Sequence, residues 1–187
     1  MKKLLILFAA LVVSLLPTSA EESKWWDHEL TFETLPSEQD PPWNFRGKDG
    51  QATVEGGKLI LTTMDETESV AFTLDEMQAQ EAVTVEFRVK ARETRSRFAG
   101  QFNILTNGLV YVFPITNAEE LTYRAVLENG SMILYKEGDS PQEIAGVPDL
   151  RGKTPAQLLF GDASSAAVGV TEWSELRWAW GKAVHGN

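Results

Sequence analysis

Three short glycine turns, each with an extended apolar run on both sides, commit much of this chain to antiparallel β-structure. Gly56-Gly57 separates Gln51-Ala52-Thr53-Val54 from Lys58-Leu59-Ile60-Leu61. Asn107-Gly108 separates Gln101-Phe102-Asn103-Ile104-Leu105 from Leu109-Val110-Tyr111-Val112-Phe113. Asn129-Gly130 separates Thr122-Tyr123-Arg124-Ala125-Val126-Leu127 from Met132-Ile133-Leu134-Tyr135. Such dipeptides accept the positive φ angles that two-residue hairpin turns demand. Elsewhere Val83, Val85, Phe87 and Val89 alternate with Thr84, Glu86, Arg88 and Lys90. The same two-residue period runs through Trp26, His28, Leu30 and Phe32, and again through Leu176, Trp178 and Trp180. Each run predicts a strand with one face on a core and the other toward solvent. Residues 74–81 and Asn117-Ala118-Glu119-Glu120 could hold a helical turn but lack the apolar stripe of a packed helix. Residues 138–155 and 161–169 read as loops, the first because it carries three prolines and three glycines. Antiparallel strands in this number need a second sheet or closure to cover their apolar face. The expected fold is therefore all-β, a two-sheet antiparallel β-sandwich, with an up-and-down barrel as its competitor.

The front of the chain carries an address. Met1-Lys2-Lys3 is positive, an apolar run follows to Leu16, and Pro17-Thr18-Ser19-Ala20 ends in small residues. This layout predicts a signal peptide over residues 1–20 and a secreted or periplasmic product, residues 21–187, forming a single domain. The apolar run is too short to span a bilayer, so no membrane insertion is expected after cleavage. With no cysteine, the product must rely on its core rather than on disulfides, and thiol chemistry is excluded. The formal charge of −10 argues against nucleic acid as a partner, since phosphate backbones reward clustered Lys and Arg.

Catalytic signals are thin. Two histidines, His28 and His185, cannot build a transition-metal site without cysteines, and no strained Gly-x-Ser-x-Gly turn accompanies them. His185 falls in a terminal tail expected to be mobile, and His28 reads as structural. No cofactor is expected. Calcium, which needs only oxygen ligands, is left open at Asp139 and Asp162, although turn formation accounts for both aspartates. Asp65-Glu66-Thr67-Glu68 reads as a solvated acidic turn. Asn129-Gly130-Ser131 fits a glycosylation pattern but is explained by its hairpin turn.

Several segments, in order along the chain, resemble the concanavalin A-like (laminin G-like) jelly-roll superfamily, especially its bacterial exported members. They are Pro41-Pro42-Trp43, the run from Val54 to Thr63, the strand from Ala82 to Val89, the hairpin around Asn129-Gly130, and Leu159-Phe160-Gly161-Asp162 followed by Glu172-Trp173-Ser174-Glu175-Leu176-Arg177-Trp178. The resemblance implies two stacked, curved sheets and a glycan or polysaccharide ligand. It also admits a glycoside hydrolase, although the Glu-x-Asp-x-Glu strand of the laminarinase-like branch is absent. A protein-interaction module is the third reading.

Sugar sites combine an aromatic platform with hydrogen-bonding polar groups. Trp43, after two prolines and before Asn44, is the expected exposed platform. Glu86 and Arg88 on one strand, Gln101 and Asn103 on another, and Arg124 on a third supply polar faces, with Tyr111 at their flank. If these strands share one sheet, the seven residues form one ligand-binding surface without a catalytic set. The competing possibility is an ordinary solvated sheet face with cross-strand Glu–Arg pairs.

Overall fold

The computed structural model describes residues 25–76, 79–150, 156–162 and 166–185. The predicted signal segment, residues 1–20, lies outside them. Among the described residues, fourteen strands form two antiparallel sheets around one apolar core. The eight-stranded sheet holds β1 (His28–Leu30), β3 (Ala52–Glu55), β4 (Lys58–Thr63), β6 (Val83–Thr94), β9 (Leu121–Glu128), β10 (Ser131–Lys136), β11 (Gln142–Ile144) and β14 (Gly169–Trp180). Its order is β11-β10-β9-β6-β14-β4-β3, with β1 paired to the later part of β14. The six-stranded sheet holds β2 (Asn44–Arg46), β5 (Val70–Asp75), β7 (Gly100–Thr106), β8 (Leu109–Ile115), β12 (Val147–Pro148) and β13 (Gln157–Asp162). Its order is β12-β8-β7-β13-β5-β2. The fold is a sandwich, not a barrel.

All three glycine turns close hairpins. Asn107 and Asn129 sit at φ 53° and 52°, each followed by a glycine at positive φ. Both central residues of a type I′ turn need that region. The flanking registers, Thr106 opposite Leu109 and Glu128 opposite Ser131, leave two residues in each turn. The segment read as one loop over residues 138–155 instead carries β11 and β12, which pair with β10 and β8 in different sheets. No helix forms in the described parts of residues 74–81 or at Asn117-Ala118-Glu119-Glu120; a single 3-10 turn occupies Pro36–Glu38.

Aromatic rings join the sheets. Phe87 of β6 stacks on Phe102 of β7 with centroids 4.6 Å apart. Trp43 lies edge-on to both Phe160 of β13 (5.1 Å) and Trp178 of β14 (5.4 Å). It is 1% exposed, which corrects the expectation of a surface platform. A tryptophan entering from the loop before β2 plugs the gap between the sheets because so large an apolar ring gains most from burial there. Tyr111 is also buried in the core, from β8. Replacing Trp43 with alanine should therefore lower unfolding free energy by about 3–5 kcal/mol, read as a shift in denaturant midpoint. A stability change under about 0.5 kcal/mol, the level typical of surface positions, would contradict the buried placement.

Candidate functional site

Alternation sends one side chain of every pair outward, and on the eight-stranded sheet part of the outward set is charged. Register aligns Tyr135, Arg124, Glu86, Arg177 and Glu29 side by side across β10, β9, β6, β14 and β1. Glu86 is buried. Its Oε2 accepts from Arg124 Nε at 2.6 Å, and its Oε1 accepts from Arg177 Nε at 2.9 Å and from Arg177 Nη2. The Trp26 ring covers both guanidinium groups, 4.6 Å from Arg177 and 5.7 Å from Arg124. Cation–π attraction of this kind strengthens where water is excluded.

The C-terminal tail, in which His185 falls, crosses the same face. Lys182 O accepts from Thr84 Oγ1, which in turn accepts from Val184 N. His185 Nδ1 meets the Tyr135 hydroxyl at 3.1 Å and its Nε2 meets Glu128 Oε2 at 3.0 Å. Trp26 and the tail explain why Thr84 and Glu86 are buried although their parity points away from the core. His28, at the other end of the chain, stacks on Trp178 with centroids 5.0 Å apart.

Beside the tail a groove of about 410 Å³ opens, lined by Glu86, Thr122, Arg124, Tyr135 and the turn from Lys136 to Pro141 that includes Asp139. Asp139 pairs with Lys136 at 2.8 Å. The groove offers one aromatic ring, a guanidinium, carboxylates and a hydroxyl to a ligand.

A second charged cluster adjoins it. Glu172, buried, receives Lys58 at 2.6 Å, Arg92 at 2.5 Å and Lys90 at 3.3 Å. Burial pushes its carboxyl up, but hydrogen bonds from the three cations outweigh that and hold it at about 2 against 4.5 for a free group. Glu120 bridges Lys58 at 3.0 Å and Arg88 at 2.9 Å. Glu175 moves the other way: burial raises it, and Glu86 and Glu29 add to the rise against the pull of Arg177.

Of the seven residues expected to share a face, Glu86, Arg88 and Arg124 do so. Gln101 and Asn103 do not. They lie on β7, in the six-stranded sheet, on the side opposite Phe102 and Ile104, and both are buried. Trp43 and Tyr111 are core residues. Two-residue alternation tells which way a side chain points relative to its strand; it does not tell which sheet the strand joins. Sequence reading missed Tyr135, Arg177, Lys58, Lys90 and Arg92. Of the calcium candidates, Asp162 is buried at the end of β13, and Asp139 lines the groove. Among the described residues no group of three or more His, Asp or Glu is arranged to hold a metal, and no helix is long and apolar enough to cross a membrane.

No family model matches the chain, and no curated protein matches its sequence. Solved structures do match. A glycosyl hydrolase family protein from Mycobacterium fortuitum aligns over 82% of this chain and 99% of its own, at 14% identity and TM-score 0.53. The carbohydrate recognition domain of Emp46p, in a mutant form, aligns over 85% and 99%, at 12% identity and TM-score 0.50. A sialidase aligns over 74% of this chain but 17% of its own length, at 12% identity and TM-score 0.50. The chain has the concanavalin A-like jelly-roll fold that lectins and glycosyl hydrolase-type sandwich domains share. Fold at this distance does not decide activity.

The Glu172 cluster makes a pH prediction. Its folded value lies below the free value, so ionised Glu172 stabilises the fold fully above about pH 4.5, and that contribution fades as pH falls toward 2. Thermal unfolding followed from pH 5 to pH 2 should show the Glu172→Gln variant losing less stability than the parent across that window. Parallel curves would contradict the cluster.

Proposed function

We propose that this protein is an exported, non-catalytic sandwich that binds a glycan through the groove on its eight-stranded sheet. The observation that carries this reading is the groove, where Tyr135 stands beside the cross-strand pair Arg124–Glu86 and the Asp139 turn. An aromatic ring can take the C–H face of a sugar, while guanidinium and carboxylate groups take its hydroxyls. Glu86 and Arg124 are fixed by hydrogen bonds before any ligand arrives, so binding orders little. The names of two fold neighbours, a glycosyl hydrolase family protein and a carbohydrate recognition domain, support a carbohydrate role. The signal-like residues 1–20 support export.

The clamped carboxylates favour binding over hydrolysis. A glycosidase acid must hold a proton near neutral pH. Glu172, held at about 2, cannot do so, and both Glu86 oxygens are taken by arginines. Among the described residues Glu175 is an outward carboxylate whose balance of burial and neighbouring charges is upward, and it shares Arg177 with Glu86. That pair is the specific observation on the side of the hydrolase.

A screen of the purified protein against a glycan array, followed by reducing-sugar assay of every binder, separates the two. Binding without product is expected, with Tyr135→Ala weakening it about fivefold or more and Arg124→Lys, which keeps the charge but loses the planar fork, weakening it further. Release of product abolished by Glu175→Gln would instead establish the hydrolase. Binding untouched by both groove variants would place the ligand elsewhere.

A further inference from the structure

We propose that the cations beside the groove form an adjoining subsite for the carboxylate or sulfate groups of an acidic polysaccharide. This inference rests on the groove reading and names its ligand class.

Arg88, Lys90 and Arg92 occupy alternate positions of β6, so all three point outward, at intervals of roughly 7 Å. Lys58 of β4 joins them through Glu172. The anion is at the bottom and the cations are at the top: the Glu172 side chain is 4% exposed, whereas those of Lys58, Lys90, Arg92 and Arg88 are 31–47% exposed. Four cations face two carboxylates in close contact, Glu172 and Glu120; Glu55 stands 3.6 Å from Arg92 at the rim, and Glu175 lies opposite Arg88 on the neighbouring strand. Lysine carries three donors and arginine five. Glu172 takes one contact from each of Lys58, Lys90 and Arg92, which leaves further donors on Lys90 and Arg92 for an incoming anion.

Two features turn this cluster into a place for a ligand. The buried carboxylate fixes the cations in advance, so their side chains lose little freedom when they meet an anion, and charge-assisted hydrogen bonds are the stronger kind. The row also continues from the groove. Arg88 pairs across the sheet with Thr122, a groove-lining residue. From Glu86 to Arg92 the strand runs about 20 Å, enough for a linear polymer that enters the groove to pass over every cation of β6.

Calorimetric titration with polygalacturonate (carboxylate) and dextran sulfate (sulfate ester) tests the inference against neutral dextran and starch, and against polyglutamate as a polyanion that is not a sugar. At ~50 mM salt at least one acidic polysaccharide should bind about tenfold or more tighter than the neutral ones, and ~500 mM salt should erase most of that margin. The tighter of the two acidic polymers identifies the anionic group. Arg88→Gln and Lys90→Gln should each weaken acidic binding several-fold and leave neutral binding unchanged. Arg88 contacts only Glu120 of the two clustered carboxylates, so its variant keeps the Glu172 cage, which an unchanged melting temperature verifies. Equal binding of neutral and acidic polymers through the groove overturns this inference and leaves the groove reading standing. Polyglutamate bound as tightly as the acidic sugars overturns the polysaccharide assignment. No polysaccharide bound at all removes the groove reading and this inference together.

Discussion

A carboxylate held between two guanidinium groups ties together the outer face of the eight-stranded sheet. Glu86 lies opposite Arg124 on one neighbouring strand and opposite Arg177 on the other, and each of its oxygens is used. Buried charge is expensive unless fully paired, and removing one partner from such a pair costs about 3–5 kcal/mol. The clamp therefore fixes β9, β6 and β14 laterally and gives Trp26 two cations to cover. It also sets one wall of the groove, because Glu86 and Arg124 both line it.

The charged face and the aromatic core are two consequences of one period. On β6, Val83, Val85, Phe87 and Val89 go inward to rings of the other sheet, which forces Glu86, Arg88 and Lys90 outward. Hairpins and strand parity could be read directly from the chain for this reason: both depend on neighbours a few residues away. The Asn-Gly turns, the alternation in β6 and the inward Trp178 all follow from such local constraints.

Pairing between distant strands was not legible. Gln101 and Asn103 have the parity of a polar face but belong to the other sheet, since β6 and β7 are consecutive in sequence yet lie in opposite sheets. Trp43 looked loop-borne, and it is; its ring nevertheless turns into the gap between the sheets. The outward facing of Glu172 was hidden by a different cause. A register shift between Trp173 and Glu175 resets the parity of β14, so Glu172 and Glu175 both face outward although they are three positions apart. A strict two-residue count over that strand puts Glu172 on the side of Leu176 and Trp178. The terminal contacts of Trp26 and His185 depend on both ends of the chain meeting over the sheet, which local pattern does not encode.

On the proposed function, the outer face of the eight-stranded sheet is the working surface of the molecule and the six-stranded sheet is its support. Amide hydrogen exchange, with and without a saturating bound oligosaccharide, tests this most directly. Protection gained in β6, β9 and β10, with β7 and β13 unchanged, is the predicted result. Protection confined to β7, β8 and β13 would place the ligand on the opposite sheet and contradict the account.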